Sequence, residues 1–367
     1  MSTPVRSKPK LRLVLHDPAA TGSLLGRVVA VAIGIALGAA FLALQPNVGS
    51  SLFSASWSST LGSALGISQL TQLATPLILA GCAVAVAARV GLWNIGVDGQ
   101  LILGAWAATA VGFYAPDAIP GAPLVVLMML AALLGGALWM VVPALAYAYA
   151  RVNVVVTTLM LNFVAYLWLA YWITGPWSDP SYASLGLSSQ PVPDRASLPH
   201  FTVGSIEIGV AFLVAVAVAV LLWAVFRFTH HGFRTAMAGA DEQVASYGGV
   251  NVGRLHLQAL LASGAIGGLV GVIVELDRVH RFSSSLSDNT GYLGIVVAAL
   301  AAHSFAGATL MGFLIAILSA TGGALSISGV SSSVVLLLIG ILLLMGAFAD
   351  VPARYRLLRA GAEEPQE

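Results

Sequence analysis

The chain has 367 residues, 58% of them hydrophobic and only 8% charged, with a formal net charge of +1 and a mean hydropathy of +0.92. A soluble domain carries about 25% charged residues, so this composition excludes an ordinary water-soluble fold, and the near-neutral charge leaves no basic field for nucleic acid. It suits a surface turned toward hydrocarbon: an all-α integral membrane protein embedded in a lipid bilayer.

Residues 1–27 form a basic, polar tail carrying Arg6, Lys8, Lys10, Arg12 and Arg27. The first apolar run, 28–44, follows without a small-residue cleavage site and is read as a retained span rather than a signal peptide. Further runs predict spans at 70–88, 98–115, 124–150, 152–174, 206–226, 257–276, 292–303, 306–327 and 331–349. Together they make about ten crossings of a core that needs about 20 apolar residues per helix. Helices are expected because backbone groups in lipid must be satisfied within their own segment, and the runs lack the alternation of a membrane barrel. The run 292–303 is short for a crossing and has the length of a half helix, yet even parity requires counting it.

The distribution of Arg and Lys sets the orientation. It puts the tails 1–27 and 350–367, Arg89, Arg151 and the segment 227–256 in the cytoplasm, and the Pro- and Ser-rich loop 175–205 outside. The membrane-spanning core is then 28–349, and spans 2–5 and 7–10 have opposite orientations, as in an inverted repeat.

Several motif readings follow. A phosphate-binding loop needs a lysine in G-x-x-x-x-G-K-[ST], but the only lysines are Lys8 and Lys10, so the chain does not bind ATP in that way. The acidic residues near the spans, chiefly Asp98, Glu207 and Glu275, lie near span ends, which disfavours an ion-coupled transporter. No nucleophile, base or metal-ligand cluster emerges, so neither a membrane enzyme nor a metal or other cofactor is expected. Cys82 is a lone apolar packing residue.

Residues 89–106, RVGLWNIGVDGQLILGAW, place Asn94 and Asp98 one helical turn apart among glycines. That pattern fits either a broken helix lining a transport path or a helix start capped by these side chains. Thr158, Asn162 and Tyr166 recur at i, i+4 and i+8 and form a polar stripe, facing a pore or joining two helices. In 232–248, Phe233, Met237, Ala240, Val244 and Tyr247 recur at helical spacing as one apolar stripe, with Arg234, Asp241 and Glu242 on other faces and Gly248-Gly249 as a stop. Such a helix docks on a partner or lies on the membrane surface.

Residues 91–105, GLWNIGVDGQLILGA, closely resemble the G-L-F-N-I-G-x-E-G-Q motif of ABC permeases that serve branched-chain amino acids, simple sugars and nucleosides. Residues 232–251, GFRTAMAGADEQVASYGGVN, resemble that family's cytoplasmic coupling segment, and 291–300, GYLGIVVAAL, its G-x-x-G-I-A-V-A-L stretch. Within the family, 151–163 and the following Gly175-Pro176 and Asp179-Pro180 resemble the nucleoside, or basic-membrane-protein, branch, with Val154 and Asp98 each standing where Glu is usual.

The resemblance implies a multi-pass subunit of the bacterial cell (inner) membrane. It further implies a heterodimer with a shorter second permease, a cytoplasmic ABC ATPase, an external substrate-binding lipoprotein and a small polar solute, a nucleoside or, alternatively, a simple sugar. On it, Phe233, Arg234, Met237, Ala240, Asp241, Glu242, Val244 and Tyr247 are expected to couple to the ATPase, and Asn94, Asp98, Gln100, Thr158, Asn162 and Tyr166 to line the solute path.

Overall fold

The computed structural model describes residues 11–15, helical positions scattered between 29 and 41, and 58–182, 187–327, 332–348 and 355–359. Much of the expected first span and of the two tails therefore lies outside the described residues. The chain divides into two units, one of Met1–Gly49 with Ser333–Glu367 and one of Ser50–Ser332.

In the larger unit, α1 (Ala64–Ala88) begins where the Ser63 hydroxyl accepts the Gly66 N–H at 3.0 Å, six residues before the expected span start. It is followed by α2 (Val97–Tyr114), α3 (Gly121–Ala150) and α4 (Val154–Thr174). The α3–α4 turn is set by Arg151 in the left-handed region (φ 52) and by the Asn153 side chain, which accepts the Val155 N–H at 2.8 Å. This N-cap satisfies a donor the helix cannot.

The connection to α5 (Val210–Phe228) holds three short strands, β2 (Ser188–Pro191), β3 (His200–Val203) and β4 (Ile206–Gly209). Residues 206–209, read from sequence as the start of a span, instead pair with β3 in an antiparallel hairpin. Its two-residue turn has Gly204 at φ +67, a backbone that glycine adopts without strain. Two short helices follow, α6 (His230–Ala240) and α7 (Glu242–Tyr247), then α8 (Val252–Val274), which runs into a π-helical turn over Glu275–Val279. Strand β5 (Arg281–Ser283) pairs with β2. After it come α9 (Thr290–Leu300) and α10 (Phe305–Ile327). The fold is thus mainly helical, with two-stranded ladders where an all-α reading expects loop or helix.

Among the described residues, six helices are long and apolar enough to cross a membrane, which establishes a multi-pass membrane protein without reaching the ten expected. The 11 residues of α9 rise about 16 Å at about 1.5 Å each, roughly half of a bilayer core. The spanning windows of α1 and α8 are 89% and 72% buried, against 17% for α5, so these two form the centre. They are used reciprocally: α1 packs on α9 and α10, and α8 on α2 and α3. Outer helices expose large apolar side chains such as Leu134, Leu138, Phe163 and Leu167, a surface suited to lipid.

In the smaller unit, α11 (Ser332–Phe348) is accompanied by strand β1 (Leu11–Leu15), which pairs antiparallel with β6 (Tyr355–Arg359).

Candidate functional site

The backbone from Leu92 to Gly96 is not helical. Gly91, at φ +78, turns the chain, and α2 begins at Val97 with no side-chain cap from Gly96. Asn94 and Asp98 therefore do not share one helix: Asn94 belongs to the turn and Asp98 to α2, the arrangement of the broken-helix reading. Buried backbone groups in such a break need partners from neighbouring helices, and α4 supplies them. Asn162 Oδ1 accepts the Gly99 N–H at 2.9 Å, and Asn162 Nδ2 donates to the Ile95 carbonyl at 3.0 Å. One turn earlier, Thr158 Oγ1 accepts the Ile95 N–H at 3.3 Å.

Inside the turn, Asn94 Oδ1 accepts the Gly96 N–H at 2.8 Å. The Asn94 and Gln100 amides pair reciprocally at 3.0 and 3.1 Å, and Asn94 Nδ2 also donates to Ser263 Oγ on α8 at 2.8 Å.

Asp98, fully buried in the first turn of α2, reaches the start of α9. Its Oδ1 accepts the Gly291 N–H at 2.8 Å and the Ser287 hydroxyl. Tyr166 donates to Ser287 Oγ at 3.3 Å, and Asn162 Nδ2 also reaches the Tyr292 hydroxyl at 3.4 Å. The N-termini of two short helices, α2 and α9, thus meet at one carboxylate. Each helix start carries roughly half a positive charge, and the Asp98 carboxyl group, from the first turn of α2, occupies the start of α9.

All six residues expected on the path fall in this cluster. Asn94, Asp98, Gln100, Thr158 and Asn162 are buried and Tyr166 half-buried. Sequence reading missed Ser263, Ser287, Gly291 and Tyr292. Gly291-Tyr292 opens the third family-like motif, which was the available signal; the two serines carried none.

Replacing Asn162 with Leu would leave the Gly99 N–H and the Ile95 carbonyl buried and unpaired, at a cost of about 1–3 kcal/mol each. The expected result is a clearly lower thermal unfolding midpoint in detergent, with a smaller drop for Thr158→Val. An unchanged midpoint for Asn162→Leu would show that the clamp does not hold the turn.

The stretch read as one stripe is two helices. Asp241 is extended (φ −157, ψ 117) and caps α7, accepting the Gln243 and Val244 N–H groups at 2.7 and 3.1 Å. The inner side of the pair consists of Gly232, Thr235, Ala238 and Ala245, all buried. Gly239 lies so close to the Arg89 carbonyl that a side chain there would overlap it, so α6 rests on the turn leading into the 91–100 motif. Of the expected stripe, Phe233 (68% exposed), Val244 (56%) and Tyr247 (92%) face outward, as do Arg234, Ala240, Asp241 and Glu242. Met237 instead packs on the cluster that includes Val90, Leu92 and Met140.

Of the three acidic residues near span ends, Asp98 and Glu275 are placed more deeply than their sequence positions suggest. Glu275 is fully buried and accepts the Thr109 hydroxyl, while Glu207 is exposed in β4. In the 175–205 connection, Asp179 accepts from Arg281 Nη1 at 2.6 Å and from Ser181 Oγ at 2.6 Å. The Ser181 and Arg281 bonds hold its carboxyl below the usual carboxylate range. Cys82 is buried as a free thiol. No group of three or more His, Cys, Asp and Glu suited to a metal occurs among the described residues.

Residues 66–346 match the family model described as "Branched-chain amino acid transport system / permease component". The glucose ABC transporter permease protein TsgB13 of Haloferax volcanii is 32% identical over 312 residues, 81% of this chain and 80% of that protein. The guanosine ABC transporter permease protein NupP of Bacillus subtilis is 31% identical over 330 residues, 88% and 93% of the two chains. The nucleoside ABC transporter permease protein NupB of Lactococcus lactis is 26% identical over 283 residues, 76% and 78%.

Proposed function

The chain belongs to the family of permease components of branched-chain amino acid transport systems, and on that premise we propose that it carries a neutral nucleoside as one subunit of an ATP-driven importer. The observation behind the choice of a neutral solute is Asp98. Paired half-helix N-termini in transporters commonly face an anionic group of the solute, and here the protein's own carboxylate occupies that place. A nucleotide or an amino-acid carboxylate would compete with it, whereas a nucleoside needs only donors and acceptors of the kind Asn94, Gln100, Thr158, Asn162 and Tyr166 supply. Two relatives named for guanosine and for nucleosides support this substrate; the one named for glucose favours a simple sugar as the second reading.

The path runs along the cluster around Asp98, with α2 and α9 as its broken helices. The reciprocal packing of α1 and α8 supports the inverted repeat expected from the sequence for spans 2–5 and 7–10. The β1–β6 pairing supports placing the tails 1–27 and 350–367 on one side, the cytoplasm, because paired strands cannot be separated by a bilayer. The 175–205 connection then faces an external substrate-binding lipoprotein, a second permease completes the membrane core as a heterodimer, and the outward side of α6–α7 receives a cytoplasmic ABC ATPase. Movement there reaches the solute cluster through Gly239, Arg89 and the turn ending at Gly96.

The test is uptake by a strain deleted for this permease and for other nucleoside carriers, complemented by the chain and its partner subunits. Labelled guanosine or uridine should enter only with complementation, with excess nucleoside competing and the corresponding nucleoside monophosphate not. Complemented uptake of glucose but of no nucleoside would establish the sugar reading instead.

A further inference from the structure

We propose that Glu242 is a positioning residue for transport, the joint through which movement of α6–α7 is passed to the spanning helices α3 and α8 by exchange between two sets of partners. This rests on the reading of α6–α7 as the ATPase-coupling segment and goes beyond it by assigning the transmitting contact.

The first set of partners lies on α3 and at its end. Tyr147 donates to Glu242 Oε1 at 3.4 Å, Arg151 Nη1 donates to the Tyr147 hydroxyl at 3.3 Å, and Arg151 Nη1 stands 3.9 Å from Glu242 Oε2. The side chains of Arg151 and Glu242 are 68% and 46% exposed. Long contacts between exposed groups add little to stability and are readily exchanged.

The second partner is His256 on α8. It is 2% exposed, with its ring edge-on to Tyr147 at 5.4 Å between centroids. One ring nitrogen bonds the Val90 carbonyl; since a carbonyl only accepts, that nitrogen carries a proton. The other, Nε2, has no hydrogen-bond partner among the described residues and faces Glu242 Oε1 at 3.7 Å.

A buried, unpaired ring nitrogen is costly. An approach of roughly 0.7 Å brings Nε2 and the carboxylate into hydrogen-bond range, and because both are acceptors as they stand, the bond forms with uptake of one proton from the water that reaches the half-exposed Glu242 carboxyl. A small displacement of α7 therefore has two discrete end points: Glu242 held by Tyr147 and Arg151, or by His256. A two-state contact biased from both sides is the physical requirement for coupling. His256 is bonded to Val90, which adjoins the turn into the 91–100 motif, so the second end point acts on the turn that carries Asn94.

The experiment uses the assembled importer in proteoliposomes, measuring solute uptake and ATP hydrolysis together. Glu242→Ala in the assembled importer should hydrolyse about tenfold more ATP per solute carried, within the range of known coupling mutations. Glu242→Gln, which retains an acceptor for Tyr147, should recover most of the ratio. Tyr147→Phe and His256→Ala should each raise the ratio in the wild-type background and add little to Glu242→Ala, since residues of one unit are not additive. A wild-type ratio in Glu242→Ala, or effects that multiply independently, would overturn the joint. Failure of the underlying coupling reading would be seen separately, as normal ATPase capture by variants of Phe233 and Val244.

Discussion

Gly268→Val is expected to prevent assembly of the membrane core, yielding little or no monodisperse protein from detergent extracts. The reason lies in how α8 uses its glycines. Gly264 and Gly268, four residues apart, face α3: a side-chain carbon at Gly264 would lie 2.6 Å from Met140 Cβ, and one at Gly268 would lie 3.0 Å from Gly136 Cα and closer still to the Ala132 carbonyl. Gly267 and Gly271, also four apart, face α2, where a carbon would come within 2.9 Å of Gln100 Cβ and of the Ala105 N–H nitrogen respectively. These are two interleaved small-xxx-small faces, the device by which membrane helices approach closely without a hydrophobic driving force.

The obstacles at Gly268 are largely main chain, which cannot move aside as a side chain can. The penalty therefore exceeds the ~1–3 kcal/mol of ordinary overpacking. Gly323→Ala is the control, because an added carbon there meets nothing within 4 Å among the described residues, and the change slightly favours helix. An unfolding midpoint for Gly268→Val equal to that of the wild type would refute the close three-helix crossing.

What the sequence revealed of this architecture depended on whether the signal was local. The apolar runs located α3, α4 and α10 to within a few residues, because their ends coincide with the change in polarity. The starts of α1 and α8 were placed late because Ser68 and Gln69, and Arg254 and His256, lie inside the helices. The caps Ser63 and Asn251 were the better guides. The second strand of the β3–β4 hairpin was mistaken for the beginning of a span although Gly204-Ser205 between alternating residues is a recognised two-residue turn. Asp241 likewise carried its own warning: an Asp followed by Glu and Gln is a helix start, and it divides the apparent stripe.

The polar cluster was visible on one side only. Asn94, Asp98 and Gln100 stood out within an unusual motif, and Thr158 and Asn162 by their spacing, but Ser263, Ser287 and Gly291, which bond Asn94 and Asp98, lie 169, 189 and 193 residues further along the chain. Only the reciprocal packing of the two helix sets brings them together. The same holds for Glu242 and Tyr147, which are 95 residues apart.

Phe233→Asp combined with Val244→Asp is expected to abolish capture of the ATPase and ATP-driven uptake while leaving the membrane protein folded. Both side chains stand clear of the core, at 68% and 56% exposure, beside Tyr247 at 92%, and the elements that carry them are fixed from behind by Thr235, Ala238 and Ala245. Without a partner, neither carboxylate is buried and the isolated chain loses nothing. With one, two unpaired charges enter an apolar contact, and a penalty of about 4 kcal/mol lowers affinity about a thousandfold.

Met237→Asp should behave differently. Met237 packs on the buried cluster, so its replacement damages the seat of α6 and lowers the unfolding midpoint of the permease itself. A helix pair that merely rests on lipid headgroups predicts the reverse for the surface variants, namely normal ATPase co-purification and only mild loss of uptake. Pull-down, uptake and thermal unfolding measured on both variants separate the two cases. Full assembly and transport in the Phe233→Asp, Val244→Asp double variant would show that the ATPase docks elsewhere.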